Sequence, residues 1–464
     1  MYSRKFPELR KFVMLLGDIA IVMLAYMLVM DIADIPVEAD ISNLSQIGFI
    51  SLAIALSIVM LNINGLYSIE HKVYADILLR IVVSDFCVFI ILLAVSIGAS
   101  YTRENVLMLL AANIVQSAGL AIWRYLGLQL EQFLHDQRRL MLIGSAEEIE
   151  HVYHRLSLQP QLNMKLKFVC TDMENSDWQK AVDEVDVVMV CPELRHYRKV
   201  SIMNYCAEHG KQVRLIPNTF ELFCSGATLD RIDDIPVLRP QSLMPSLETC
   251  LLKRIMDIVI GALGFICAMP LMLAAAIAIK IGDPGPLLYS QVRVGREGKE
   301  FKVYKFRTMR VDAEKYSGPM LAQENDPRIT RVGRIIRAIR LDELPQIWNV
   351  IKGDMSIVGP RPERPFFVKQ FIAEMPEYAY RHNVKPGITG LAQICGKYNT
   401  TPFDKLVYDL DYIQHCSFLG DLVIILQTVR VLFTKSATEG TGKDMKELDI
   451  EKYDIAEREI YGDF

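Results

Sequence analysis

Two adjacent carboxylates, Asp342 and Glu343, lie in the run Arg340-Leu341-Asp342-Glu343-Leu344-Pro345-Gln346. Proline is tolerated only in the first turn of a helix, so Pro345 predicts a helix that starts at Asp342 or Glu343 and runs through Trp348 to Ile351. Carboxylates at a helix N-terminus sit in its positive dipole field, which favours the ionised form and draws phosphate to the same place. An ionised aspartate is a usable nucleophile toward a phosphoanhydride. Two carboxylates facing a diphosphate also form a natural Mg2+ site, because that ion takes one or two protein carboxylates plus substrate phosphate oxygens. An isolated Asp-Glu pair is more often an N-cap beside a solvated glutamate. Its neighbours decide between the two readings.

Arg328, Arg331, Arg334, Arg337 and Arg340 recur every three residues, with Ile329, Val332, Ile335, Ile336 and Ile339 between them. On a helix this sets a basic stripe beside an apolar one, suited to an anionic lipid surface, and it leads directly into the dyad. Three turn-rich basic stretches surround the same point: Lys302–Met309 (KVYKFRTM), Gly359–Pro365 (GPRPERP) and Lys385–Gly390 (KPGITG). Prolines on both sides of Arg361 fix the backbone around a guanidinium, which suits bidentate phosphate recognition.

These residues follow an apolar segment, Ile255–Ile281, long enough to cross a bilayer at ~20 residues per span. Lys253 and Arg254 precede it; Lys280, Arg293, Arg296, Lys299, Lys302, Lys305 and Arg307 close or follow it. Cytoplasmic flanks carry the Lys and Arg, so both ends belong on one side. Pro270 sits at the midpoint. The expected element is a re-entrant helix that turns at Met269–Pro270; a kinked span would carry every charged motif across the membrane.

Four more apolar runs come first, near Phe12–Met30, Ile47–Leu66, Ile81–Ala99 and Val106–Trp123. Arg4, Lys5, Arg10 and Lys11 precede the first, His71, Lys72 and Arg80 separate the second from the third, and Arg124, Arg138 and Arg139 close the fourth. That pattern puts both ends of a four-helix bundle in the cytoplasm. Asp18 and Asp85, near span ends, read as acids partnered by neighbouring helices. No cleavable signal peptide is expected, because no small-residue cleavage site follows the first apolar run.

Strand–helix alternation then predicts a small parallel sheet of Rossmann type: strands at Leu140–Gly144, Leu166–Cys170, Val185–Cys191 and Gln212–Ile216, with helices at Ala146–Leu158 and Lys199–His209. Its first turn, Gly144-Ser145-Ala146-Glu147-Glu148, lacks the second and third glycines that admit a pyrophosphate. A scaffold or dimerisation module is expected rather than a dinucleotide site. The nine cysteines form no C-x-x-C pair and several lie in apolar runs, so neither disulfides nor zinc are indicated. At 464 residues, 51% hydrophobic and net charge −4, the chain is too long for one domain and too apolar to be wholly soluble.

From Lys253 to about Phe433 the chain resembles the bacterial sugar transferase family, the monotopic phosphoglycosyl transferases. The matching pieces are K-R-x-x-D (Lys253–Asp257), D-P-G-P (Asp283–Pro286), Q-x-R-x-G (Gln291–Gly295), K-F-R-T-M (Lys305–Met309), D-P-R-I-T (Asp326–Thr330), L-D-E-L-P-Q (Leu341–Gln346), G-P-R-P-E (Gly359–Glu363) and K-P-G-I-T-G (Lys385–Gly390). The four spans and the degenerate middle module resemble the large membrane form. The resemblance implies transfer of a hexose phosphate from a UDP-sugar to undecaprenyl phosphate, with release of UMP, priming capsule, exopolysaccharide or O-antigen synthesis. It makes Asp342 the nucleophile of a covalent phosphosugar intermediate and Glu343 a magnesium ligand or base. Lys305, Arg307, Arg361 and Arg364 would neutralise phosphates, with Asp409 and Tyr412 as further candidates near the substrate. Glucose is narrowly expected over galactose.

The expected fold is therefore an α+β membrane protein: a four-helix transmembrane bundle (1–125), a Rossmann-like module (138–245), a mainly helical catalytic domain on a re-entrant helix (250–434) and a charged tail (435–464). The expected partners are the two substrates, the lipid bilayer and a second copy of the chain, with no nucleic acid. The expected location is the bacterial cytoplasmic membrane, with catalysis on its cytoplasmic face. Two other classes compete. A membrane-anchored NAD-dependent dehydratase or epimerase would need the missing glycines and a Tyr-x-x-x-Lys pair in the middle module. A non-catalytic scaffold would tolerate an altered dyad, and this one is intact.

Overall fold

The computed structural model describes residues 7–32, 41–67, 74–98, 103–134, 137–159, 162–174, 176–310, 328–396, 400–432, 450 and 452–455. Arg4, Lys5, His71, Lys72, Asp326 and most of the charged tail lie outside the described residues. The chain divides into two compact units, 1–218 with 443–464, and 219–442.

The first unit opens with α1 (Pro7–Ile32), α2 (Ile41–Ile63), α3 (Tyr74–Gly98) and α4 (Arg103–Leu134). They close a bundle in which α1 packs on α2 and α4, and α3 on α2 and α4. Lys11–Ile32, Tyr74–Ile97 and Val106–Leu130 are long and apolar enough to cross a membrane; the apolar part of α2, Gly48–Ile63, is shorter. Charges inside such a bundle must be partnered. The fully buried Asp18 meets Arg124 at 2.5 Å, joining α1 to α4, and Asp85 accepts hydrogen bonds from Gln116 (2.7 Å) and Ser117 of α4.

Next come β1 (Arg138–Ile143), α5 (Ala146–Ser157), β2 (Met164–Cys170), α6 (Trp178–Asp183), β3 (Val187–Val190), α7 (His196–Glu208) and β4 (Gln212–Leu215). The strands form one parallel sheet in the order β2-β1-β3-β4. A parallel sheet needs cover on both faces. Ile149 of α5 packs with Leu140 and Leu142 on one face, while Val182 of α6 and Ile202 of α7 pack with Met141 and Ile143 on the other. At the first turn, Glu148 accepts hydrogen bonds from the amides of Ser145 (3.1 Å) and Glu193 (3.0 Å). The chain's own carboxylate thus sits where a pyrophosphate would need those donors. The tail returns to this sheet: Val169 N–H donates to Tyr453 carbonyl at 2.7 Å, and Ile455 is buried in the core.

The second unit begins earlier than the sequence suggests, at Thr219, so it takes in α8 (Thr219–Ser225) and the hairpin β5 (Thr228–Ile232)–β6 (Ile235–Arg239) that composition assigns to the middle module. Leu222 of α8 is buried in the core of this unit, packed among Val358, Tyr378, Leu406, Leu410 and Ile413.

α9 (Leu247–Gly282) stays helical through Met269–Pro270, so no open loop interrupts it. A proline inside a helix removes one N–H and bends the axis rather than always ending the helix. At its N-terminal part, Lys253 pairs with Asp421 and donates to Tyr412 Oη at 2.9 Å. Arg254 donates to the carbonyls of Val350 and Ile351 at 2.7 and 2.8 Å, and Asp257 accepts from Ser356 Oγ and Ile357 N–H at 2.9 Å each. At its other end Ala275 and Ile279 pack with Phe306 and Ile336. Between them Leu263, Ile266, Met269, Leu271 and Leu273 are all more than half exposed.

The rest of the unit is β7 (Leu288–Val294) antiparallel to β8 (Glu300–Phe306), α10 (Arg331–Ala338), a 3-10 turn Leu341–Glu343, α11 (Gln346–Lys352), β9 (Ser356–Val358), α12 (Pro365–Glu374), a 3-10 stretch Pro376–Asn383, β10 (Gly387–Thr389) parallel to β9, α13 (Leu391–Cys395), α14 (Pro402–Gln414) and α15 (Phe418–Leu432).

Candidate active site

The dyad is positioned by three neighbours in sequence. α10 begins at the Thr330 N-cap, whose Oγ1 accepts the Gly333 N–H at 2.9 Å. It lies against the end of β8, with Arg337 Nε donating to Thr308 Oγ1 at 2.8 Å. Ile336 is buried, whereas Ile335 and Ile339 are 64% and 59% exposed. The apolar stripe therefore has a protein-facing row and an exposed row. Arg340 then adopts the left-handed conformation (φ 58°, ψ 18°), which costs a non-glycine residue about 1 kcal/mol, and reverses the chain into the dyad.

The structure corrects the local expectation here. Asp342 and Glu343 lie in the 3-10 turn, closed by Glu343 N–H to Arg340 O and Leu344 N–H to Leu341 O (3.3 Å each), one turn ahead of α11. Pro345 has no N–H to continue an α-helical ladder backward, so the shorter-range bonds precede it.

The two carboxylates have different surroundings. Glu343 Oε1 accepts from Lys305 Nζ at 2.6 Å and from Arg361 Nη2 at 3.0 Å. Burial alone would push its carboxyl up, but Arg361 and then Lys305 outweigh that and hold it well below the ordinary carboxylate range. Asp342 has no hydrogen bond or ion pair among the described residues. Burial, and then the Glu343 anion beside it, push its carboxyl above the ordinary value, against Lys305, Arg337 and Arg340. Burial thus raises the Asp342 carboxyl, and the cations around its partner Glu343 lower that one. Lys305 in turn is pushed below the usual lysine range by burial, with Glu343 opposing.

The other expected phosphate ligands divide. Arg361 reaches the dyad. Arg364 stands at the N-cap of α12, immediately after the same loop. Arg307 is buried and donates to the Asp283 carbonyl, with the carboxylate at 3.6 Å. The Asp283–Pro286 turn wraps around it so tightly that a Cβ on Gly285 (φ +156°) would lie 2.4 Å from Arg307 Nη1. It fixes the turn after α9. Asp409 is buried and pairs with Arg381 at 2.7 Å. Tyr412 is buried too, donating to Asp421 at 2.8 Å. Neither touches the dyad. Sequence reasoning missed Arg381, a single basic residue in Tyr380-Arg381-His382 with no periodicity or turn signal to mark it.

Among the described residues no three His, Cys, Asp or Glu side chains converge on one point. An unpartnered Asp342 beside a charge-neutralised Glu343 fits a Mg2+ ion held mainly by substrate phosphates, and does not fit an all-protein metal cage.

The sequence profile of bacterial sugar transferases matches residues 248–435. The UDP-glucose:undecaprenyl-phosphate glucose-1-phosphate transferase of Caulobacter vibrioides is 45% identical over 204 residues, covering 42% of this chain and 75% of that protein. The enzyme of the same description from Xanthomonas campestris pv. campestris is 33% identical over 333 residues, 65% of this chain and 68% of its own. The UDP-N-acetylgalactosamine-undecaprenyl-phosphate N-acetylgalactosaminephosphotransferase of Aeromonas hydrophila is 44% identical over 207 residues, 44% of this chain; the match spans about half (49%) of that protein.

Proposed function

This chain belongs to the bacterial sugar transferase family, and on that premise we propose that it moves a hexose-1-phosphate from a UDP-sugar to undecaprenyl phosphate through a covalent intermediate on Asp342. The observation that carries the reading is the unequal dyad: Glu343 is tied to Lys305 and Arg361, while Asp342 has an unengaged carboxylate next to that cationic pair.

In the first step an Asp342 carboxylate oxygen attacks the β-phosphorus, the phosphoanhydride bond breaks and UMP leaves with its electron pair. In the second, a phosphate oxygen of undecaprenyl phosphate attacks the same phosphorus, Asp342 is released and the polyprenyl diphosphate sugar forms. Lys305 and Arg361 neutralise charge as it develops on phosphate oxygens, which is most of what phosphoryl transfer requires. Mg2+ held by Asp342, Glu343 and the diphosphate would supply further neutralisation.

A lipid acceptor requires the dyad at the membrane surface. The reading that α9 dips into one leaflet and returns is supported by both of its ends packing on the residues around the dyad, with the apolar middle left bare. It puts the site on the cytoplasmic face of the bacterial inner membrane, where UDP-sugars are. Exposed Ile335, Ile339 and Trp348 suit the same surface. The reading takes the product into surface polysaccharide synthesis, with glucose narrowly preferred over galactose; relatives named for glucose, for N-acetylgalactosamine and for galactosyl transfer all match, so the donor panel decides. Measuring UMP release against a panel of UDP-sugars with undecaprenyl phosphate tests the donor; no UMP with any of them sinks the reading. A homodimer remains part of it, and light scattering of the intact protein in detergent decides between one copy and two.

A further inference from the structure

The loop that carries Arg361 is held in an unusual way. Pro360, Pro362 and Pro365 give it no N–H donors at those positions, so it is fixed through its carbonyls, four in succession. Pro360 O accepts from Gly387 N–H at 3.0 Å, Arg361 O from Arg381 Nη2 at 3.1 Å, Pro362 O from Arg293 Nη1 at 3.1 Å and Glu363 O from Val294 N–H at 3.0 Å. Two of the four donors are guanidiniums. Arg381 is 5% exposed and its fork is shared among three acceptors: Nε to Asp409 Oδ2 at 2.7 Å, Nη1 to Tyr378 Oη, and Nη2 to the Arg361 carbonyl. Charge-assisted bonds from a planar fork fix direction as well as distance.

We propose that Arg381, oriented by Asp409 and Tyr378, is a positioning residue for the transfer reaction. It acts on the chemistry only through Arg361, whose guanidinium its grip on the loop presents to Glu343. This rests on the reading above for what the chemistry is, but the clamp itself is a matter of geometry. Asp409 thereby acts on the loop through the Arg381 fork.

The test is a double-mutant cycle on the intact protein in lipid, with Arg381→Lys, Arg361→Lys and the pair, reading kcat and KM for UMP release alongside the melting temperature. Lysine keeps the charge opposite Asp409 but cannot serve three acceptors. One lost charge-assisted hydrogen bond predicts a 10- to 100-fold drop, roughly, in kcat/KM for Arg381→Lys. In the Arg361→Lys background, Arg381→Lys should change the rate by less than about twofold, because residues acting through one another do not add. Losses that multiply would overturn the proposal, since general loosening or an independent substrate contact would both give that result. Should Arg381→Lys fail to fold, Tyr378→Phe removes one acceptor and is read in the same cycle. A second measurement is independent of turnover: phenylglyoxal modification mapped to Arg361 should run several-fold faster in Arg381→Lys, and an unchanged rate would refute the clamp. Wild-type protein that releases no UMP would refute the proposed reaction and leave this last measurement to decide the clamp.

Discussion

Gly333→Ala makes the dependence of the dyad on α10 measurable. An ideal Cβ at Gly333 would lie 2.1 Å from the Thr308 carbonyl oxygen and 2.8 Å from both Thr308 C and Cα. All three are backbone atoms of Thr308, two residues beyond β8, so no side chain can swing aside. Non-bonded carbon contacts settle near 3.5 Å, so helix and strand must separate by about 1 Å or more. Gly333 has ordinary helical φ, so the substitution adds no backbone strain of its own. The displacement is passed along α10 to Arg340 and the 3-10 turn, because Thr330 and Arg337 both bond to Thr308 at this contact and Gly333 N–H is tied to Thr330 Oγ1. A misplacement of ~1 Å at reacting groups costs on the order of 100-fold in rate. We therefore expect single-turnover UMP release to fall by about two orders of magnitude in Gly333→Ala. The matched control is Gly264→Ala in α9, where an added Cβ meets nothing within 4 Å, and its rate should equal that of the wild type. A Gly333→Ala protein that is folded and works at the wild-type rate would refute the coupling of α10 to the dyad.

The pH dependence follows from the unequal dyad. On the proposed mechanism Asp342 attacks as the carboxylate, and its carboxyl is raised, so activity should fail, as pH drops, above the ~3.9 of an ordinary aspartate; Glu343→Gln removes the neighbouring anion and frees two cations, so the acid limb of its reduced rate should move to lower pH, and a limb that moves up contradicts this assignment. For stability the sign is the reverse at Glu343: its depressed carboxyl contributes above the unfolded value of about 4.3, and that contribution is lost as pH falls through the folded value. Cysteines placed near Lys253 and Asp283 in a cysteine-free chain should label from the same side of the membrane; opposite sidedness would make α9 a span. Chelation of Mg2+ should stop UMP release without changing the melting temperature of the substrate-free protein, and full activity in excess chelator would remove the ion from the reaction.

Much of this was legible because it depends on local pattern. Short apolar runs between turn signals located the four parallel strands to within two residues, and the Asp-Glu pair stands in the sequence as the point around which the basic loops are grouped. What escaped the sequence depends on long-range packing. Leu222 reads as one more apolar residue in the middle module, yet it is buried against Leu406 and Leu410 almost two hundred positions away. Arg307 sits in a basic motif like a phosphate ligand, and only the fold shows the Asp283 turn closed around it. Asp409 and Arg381 are separated by 28 residues, and no spacing rule links a helix residue to a carbonyl in a proline loop. The left-handed Arg340 is invisible as well, since arginine carries no preference for that conformation.

The account turns on Asp342 as nucleophile, and one measurement addresses it directly: intact-protein and peptide mass spectrometry after incubation with the UDP-sugar in the absence of undecaprenyl phosphate. A hexose-phosphate adduct on Asp342, formed together with one equivalent of UMP and absent from Asp342→Asn, is the predicted result. An adduct on another residue, or UMP that appears only when the lipid acceptor is present, would contradict it.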